Sequence, residues 1–225
     1  MRTICPYPDC SLEFDFPAEE LDKRGHFIGK CEHCGNAAAF RSLEAHEIIN
    51  REFEKRQRKD ALNGGPERPP EWVAARSVLV EDVRSLWNVG SIFRTADGAG
   101  FEHVFLTGIT GSPPRKEIEK VSLGAEQVVS WDYERNPMIV LNRLKAIGVQ
   151  IVGLEKSGTS VLLSDVLQAE GVRTPMCLVV GNEVSGLSPQ VLSACELVCH
   201  LPMRGMKESL NVAVAYGIAA YMIAN

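Results

Sequence analysis

The stretch Met176-Cys-Leu-Val-Val-Gly-Asn-Glu-Val-Ser-Gly-Leu-Ser-Pro189, followed after a spacer by Leu201-Pro-Met-Arg-Gly-Met-Lys-Glu-Ser-Leu-Asn-Val-Ala-Val-Ala-Tyr-Gly-Ile-Ala-Ala-Tyr-Met-Ile-Ala-Asn225, decides the fold of this chain. Each half reads as a short apolar run, a polar loop containing glycine, and a helix start. Leu178, Val179 and Val180 are strand-like, and Gly181 ends the run. Ser188-Pro189 reads as an N-cap followed by proline at the first helical position. In the second half Leu197 to Met203 is the apolar run, Arg204 to Glu208 the loop, and Ser209 or Asn211 the cap of the last helix. That helix is apolar nearly all round, so it is expected to be buried, against a sheet or against another copy of itself. Two strand-to-helix loops carrying Asn182, Glu183, Ser185, Ser209 and Asn211 make a candidate ligand pocket, because α/β sheets bind ligands beyond the carboxyl ends of their strands.

Upstream, the same alternation repeats. Ser77 to Glu81 is a buried-type strand, and Leu86 to Gly100 is a loop and helix with Gly100 at its stop. His103 to Leu106 is the next strand, then Thr107 to Pro114 a loop. Glu117 to Val121 begins a helical piece, and Glu126 to Trp131 reads as a strand. Met138 to Ile147 is a helix stopped by Gly148, Val149 to Leu154 a strand, and Asp165 to Gln168 part of a short helix. This β-α-β order predicts an α/β fold, a parallel sheet with helices on both faces.

The 225 residues suit one large domain plus a small one. With 45% hydrophobic and 24% charged residues the composition is that of an ordinary globular protein. A net charge of −5 excludes a globally basic nucleic-acid binder, so any RNA-binding surface must be local. The terminal helix is too short and too rich in Ala and Gly to be read as a membrane span. The first residues do not read as a signal peptide, and seven cysteines, an odd number, point to a reducing compartment, hence a cytoplasmic location.

Cys5 and Cys10 form one C-x4-C pair, and Cys31 and Cys34 a C-x2-C pair. Thiolates at such spacings, on two tight turns, complete a tetrahedral metal site, so a structural zinc is expected in a ribbon-like segment at residues 1–40. Few apolar residues lie between the pairs, and so small a segment needs a staple. His26 and His33 are possible substitute ligands, but four thiolates already fill the shell, so each reads as a solvated surface residue. Residues 41–70 hold a helix at 42–60 and a Gly/Pro linker. The helix end from Arg51 to Lys59 carries five basic residues against two acidic ones. It is either a solvated helix end or an RNA-backbone contact. Asn63-Gly-Gly-Pro-Glu-Arg-Pro-Pro70 is the linker, and residues 71–225 are the catalytic-sized domain.

Three segments together resemble the SpoU (TrmH-like) branch of the SPOUT RNA methyltransferases. They are Asn88-Val-Gly-Ser-Ile-Phe-Arg-Thr-Ala-Asp-Gly-Ala-Gly100, Val180-Gly-Asn-Glu-Val-Ser-Gly-Leu187, and Leu201-Pro-Met-Arg-Gly-Met-Lys-Glu-Ser-Leu-Asn-Val-Ala-Val-Ala215. The resemblance implies a C-terminal trefoil knot, which packs the last helix into a homodimer and holds S-adenosylmethionine. It implies methylation of a ribose 2′-hydroxyl of tRNA or rRNA. Arg94 would act on that hydroxyl, with Asn88, Glu183, Ser209 and Asn211 as the other catalytic candidates. Thr107, Gly108, Gly181, Asn182, Leu201, Met203, Ser209 and Leu210 would hold the cofactor. The N-terminal cysteine segment lies outside the resemblance.

Chemistry offers two roles for Arg94. It is a base deprotonated with help from an RNA phosphate, or a cation stabilising the developing alkoxide. The bland role is an ion pair with Glu81, Asp82 or Asp97. Asn88 and Ser209 can act as caps, and Glu183 can bind loop N–H groups. Cys195 and Cys199-His200 suggest a second metal, against which the two cysteines read as buried free thiols in a helix-to-strand turn. A catalytically silent RNA-binding homologue is the competing reading. A nicotinamide enzyme is disfavoured, because Gly98-Ala-Gly100 lies at the wrong end of its helix and lacks a third glycine.

Overall fold

The computed structural model describes residues 2–5, 13–16, 27–31, 37–40 and 73–225. The chain divides into two units, Met1–Asn63 and Gly64–Asn225. In the first, β1 (Arg2–Ile4) pairs antiparallel with β2 (Glu13–Asp15), and β3 (Phe27–Lys30) with β4 (Ala37–Phe40). Cys5 follows β1, Cys31 follows β3, and both are buried. Cys10, Cys34, the basic helix and the linker lie outside the described residues.

The second unit is built on seven parallel strands. They are β5 (Arg76–Glu81), β6 (His103–Thr107), β7 (Ser130–Glu134), β8 (Gln150–Leu154), β9 (Val161–Leu162), β10 (Met176–Val180) and β11 (Leu197–His200). Their order in the sheet is β7-β6-β5-β10-β8-β11-β9. The expected parallel sheet is therefore present. Its middle strands are continuous apolar runs because both faces are covered. Every residue of β10 is buried.

Strand periodicity divides the core in two. Val78, Val80, Val152, Leu178 and Val180 point to one face. There they meet α1 (Leu86–Gly98) through Val89, Ile92, Phe93 and Ala96, α2 (Lys116–Ser122) through Ile118, and α7 (Val212–Ala224) through Ala213, Tyr216, Ala219 and Ala220. Leu79, Ile151, Cys177 and Val179 point to the other face. There they meet α4 (Pro137–Ala146) through Val140, Leu141 and Leu144, and α6 (Pro189–Ala194) through Val191 and Ala194. A one-residue register slip would exchange these two sets, so the alternation fixes the pairing.

Local chemistry sets the helix ends. Ser188 caps α6 with Pro189 in its first turn, as expected, and Gly100 and Gly148 take positive φ just beyond α1 and α4. Three expectations need correction. Glu126 to Trp131 is not a strand: α3 (Ala125–Val128) occupies its first part, and β7 begins at Ser130. Gly124, at φ 95°, lets the chain leave α2 and start that short helix at once. Asn88 does not cap α1. Ser85 does, its hydroxyl accepting from Asn88 N. Asn211 rather than Ser209 caps α7. The remaining helix, α5, runs Leu163–Gln168.

Helix α7 is buried on one side only. Tyr216 is fully buried and meets Phe101 edge to face. Val214, Ile218 and Tyr221, at helical spacing, are 51%, 43% and 51% exposed. No helix among the described residues is long and apolar enough to cross a membrane.

Candidate functional site

A cleft of about 220 Å³ opens beyond the carboxyl ends of β8, β10 and β11. Four segments line it. Leu154 ends β8 and is followed by Glu155 and Lys156, and Val180 ends β10 and is followed by Gly181 to Val184 and Gly186. His200 ends β11 and is followed by Leu201 and Met203, and Glu208 to Asn211 lead into α7, whose Val212 and Ala215 complete the lining. Of the residues expected to hold a cofactor, Gly181, Asn182, Leu201, Met203, Ser209 and Leu210 line this cleft. Thr107 and Gly108 do not: β6 lies on the far side of β5 from β10. Thr107 instead bonds Val80 O through its hydroxyl, and the Gly108 carbonyl accepts from Tyr133 OH. Sequence reading missed Leu154, Glu155, Lys156 and His200, which carry no motif.

The loop between β10 and α6 is made rigid by its own side chains. Asn182 Oδ1 accepts from Val184 N at 2.9 Å and Ser185 N at 3.1 Å, while its amide donates to Asp82 O at 2.7 Å. Backbone bonds between Asn182 and Gly186, 3.1 and 3.0 Å, close the turn. A Cβ on Gly181 would stand 2.4 Å from Gly186 C and 2.5 Å from Leu187 N. Its bareness thus serves loop packing, in addition to the ligand approach expected of it.

Glu183 joins this loop to α1. Its Oε2 accepts from Arg84 N at 3.1 Å, and Oε1 from Ser85 N and Asn88 Nδ2, each at 3.0 Å. Asn88 Oδ1 then accepts from Asn211 Nδ2 at 3.2 Å. Asn211 Oδ1 takes Ala213 N and Val214 N at the start of α7. One chain of hydrogen bonds therefore links all three motifs. Glu183 does bind loop N–H groups, and a carboxylate beside the first turn of a helix is favoured by the helix dipole.

Arg94 is exposed on α1, and it does not line the cleft of its own chain. Among the described residues it has no hydrogen-bond or ion-pair partner, so the bland reading of a salt bridge to Glu81, Asp82 or Asp97 does not hold. Ser209 lines the cleft and is exposed. Cys177 and Cys199 are buried and Cys195 half-buried, with burial pushing the thiols of Cys177 and Cys195 up to about 12. They are inert packing groups. Among the described residues no three His, Cys, Asp or Glu side chains cluster as a metal site.

Beneath the loop, Glu81 is 1% exposed. Its Oε2 accepts from Ser188 N at 3.0 Å, and Oε1 has no partner among the described residues. Burial, with smaller repulsion from Asp82 and Glu155, raises its pKa from 4.5 to about 7 against the opposing effect of Ser188. The folded chain thus keeps a proton that the unfolded chain releases. Stability falls as pH rises from about 4.5 to about 7, by roughly 3 kcal/mol, and this contribution is level above that range. Glu81→Gln should remove that fall, which urea unfolding of both proteins from pH 5 to 8 would show. Parallel stability curves would mean that Glu81 titrates normally.

Comparison with known proteins agrees with the geometry. Residues 75–221 match the family model described as the SpoU rRNA Methylase family. A tRNA (guanosine(18)-2′-O)-methyltransferase of Aquifex aeolicus is 33% identical over 64% of this chain, and the match takes in 66% of that protein, just under two thirds. Among solved structures, the A. aeolicus TrmH/SpoU tRNA modifying enzyme superposes with a TM-score of 0.60 at 30% identity, over 76% of this chain and 82% of that one. An AdoMet-bound rRNA methyltransferase from Sinorhizobium meliloti gives 0.61 at 29% identity, over 67% and 56%. With its motifs drawn into one hydrogen-bonded cluster at the carboxyl edge of a parallel sheet, and the match running nearly the length of that unit, the chain belongs to the SpoU rRNA methylase family.

Proposed function

We propose that this chain transfers a methyl group from S-adenosylmethionine to a ribose 2′-hydroxyl of tRNA or rRNA. The observation that carries this reading is the hydrogen-bond chain from Glu183 through Asn88 to Asn211, bordering a cleft where the fold binds ligands. The cleft's residues fit the cofactor. Leu154, Leu201, Leu210 and Val212 offer apolar surface to a base, and Glu155, Asn182 and Ser209 offer polar contacts. When bound, S-adenosylmethionine supplies its methyl as a sulfonium. Arg94 holds the ribose and, as a cation, stabilises the alkoxide that develops at the 2′-oxygen, while water takes the hydroxyl proton and the thioether leaves. Asn88 and Asn211 fix α1 against α7, and with it the helix that bears Arg94.

The active unit is a homodimer formed through the knotted C-terminal region. The exposed row Val214, Ile218 and Tyr221 on α7, and exposed Trp87 on α1, favour it. Arg94 is exposed and does not line its own chain's cleft, and in this arrangement it serves the partner's. The test of the function is transfer of labelled methyl from S-adenosylmethionine to unmodified RNA, followed by alkaline hydrolysis. A 2′-O-methyl group blocks cleavage of its own phosphodiester, so one bond should become resistant. RNA and cofactor binding without transfer would return the silent homologue.

In the N-terminal unit, a structural zinc bound by Cys5, Cys10, Cys31 and Cys34 is supported by sequence position. Each pair falls between the two strands of an antiparallel pair, and the two described thiols are buried. This unit and the basic stretch Arg51 to Lys59 capture RNA. A chain of residues 71–225 should keep cofactor affinity, lose the zinc, and bind RNA more weakly. Its log affinity should depend less steeply on log salt, by about one unit for each phosphate that the shortened chain no longer neutralises. Equal slopes would leave the segment without a role in RNA capture.

A further inference from the structure

Glu155 is the acidic group in the cleft that no motif explains. It follows β8 directly, and its own N donates to Cys199 O at 2.9 Å, which ties its backbone to β11. Its carboxylate is held from behind by two backbone donors. Oε1 accepts from Lys156 N and Oε2 from Leu187 N, each at 3.0 Å. In this position it lies close over Gly186: a Cβ there would stand 2.2 Å from Oε2, so any larger residue would push the carboxylate aside. Gly186 also has φ 68°, a backbone conformation that favours glycine.

An ionised carboxylate offers about four lone-pair sites. The two N–H groups fill two, which leaves one further acceptor site on each oxygen of a side chain whose position is fixed. The other acids of the cleft are differently employed. Glu183 already takes three donors from α1 and the turn before it, and Glu208 is exposed. Leu154 and Leu201, apolar surface on which a base can rest, also line the cleft. Two adjacent acceptors next to such a surface match two adjacent donors on one sugar edge.

We propose that Glu155 accepts hydrogen bonds from the vicinal ribose hydroxyls of the bound nucleoside cofactor, and so selects a ribonucleoside sulfonium. The proposal rests on the cofactor reading above. It deepens that reading by naming the residue that recognises the sugar. A carboxylate that merely braced Leu187 N would affect every ligand of the cleft alike. One that holds the diol is felt only by ligands that have it.

The experiment is a binding cycle by calorimetry, with full-length protein, wild type and Glu155→Gln. The ligands are S-adenosylhomocysteine and its 2′,3′-dideoxyribose counterpart. Wild type should bind the natural ligand about tenfold more tightly than the dideoxy ligand, and Glu155→Gln should bind the two about equally. Equal binding of both ligands by wild type overturns the proposal without recourse to any variant. So does a Glu155→Gln protein that weakens both ligands by the same factor, which leaves Glu155 as a brace for the loop. A third ligand, 5′-methylthioadenosine, keeps the diol and lacks the ammonium. Loss of the Glu155 effect with this ligand alone would assign the carboxylate to the amine and overturn the sugar assignment. Failure of wild type to bind S-adenosylhomocysteine at all would overturn the cofactor reading, and this inference with it.

Discussion

Replacing Arg94 with alanine is expected to lower methyl transfer by about a thousandfold while cofactor affinity stays within a few-fold, because removing a cation aimed at developing charge costs roughly 10²–10³ in rate. The asymmetry follows from position. Arg94 is exposed and absent from its own chain's cleft, and the role proposed for it is toward the RNA ribose rather than the cofactor. Arg94→Lys keeps the charge and loses the planar fork, and intermediate activity would assign part of the effect to geometry. Charge placed on the exposed row of α7, as in Ile218→Asp, tests whether Arg94 works from across a dimer. Sedimentation should show monomers, and these should be inactive although Arg94 is intact. Full turnover by the Arg94→Ala protein would remove the arginine from the chemistry. Full turnover by a monomeric Ile218→Asp protein would return Arg94 to its own chain's cleft.

Much of this architecture is legible in the residues, for identifiable reasons. Buried parallel strands are short apolar runs, so β5, β6, β8 and β10 announce themselves. Ser188-Pro189 and Gly148 mark helix ends because capping and positive φ are local properties. What a local pattern does not carry is which strand lies beside which. Sequence order runs β5, β6, β7, β8, yet β10 inserts between β5 and β8. The loop after β8 therefore borders the cleft, and the loop after β6, with Thr107 and Gly108, does not. Glu155 stayed hidden for the same reason: nothing in its neighbourhood in sequence says that Leu187 N lies within hydrogen-bond reach. The last helix shows a different limit. An apolar surface on all sides says that the helix is covered, but a single chain covers only the side bearing Tyr216.

Gly181→Ala is expected to deform the cleft. The added methyl would meet Gly186 C at 2.4 Å, with Gly186 O and Leu187 N each at 2.5 Å. All three are backbone atoms, so no side chain can rotate away to relieve the contact. Either β10 shifts, against its neighbours β5 and β8 on both sides, or the turn closed by Asn182 and Gly186 opens. The turn is the weaker partner. Opening it pulls Leu187 N from Glu155 and Ser188 N from Glu81, and moves Glu183 relative to Arg84, Ser85 and Asn88. A misfit of this kind costs about 3 kcal/mol, and if that cost falls on the bound state it weakens the cofactor roughly a hundredfold. Gly158→Ala is the matched control. Gly158 lies in the turn after β8, and a Cβ there meets nothing within 4 Å. That variant should bind S-adenosylhomocysteine as wild type does. Equal affinities for the Gly181→Ala and Gly158→Ala proteins would show that the loop yields without disturbing the site, and that its hydrogen-bond chain is not what shapes the cleft.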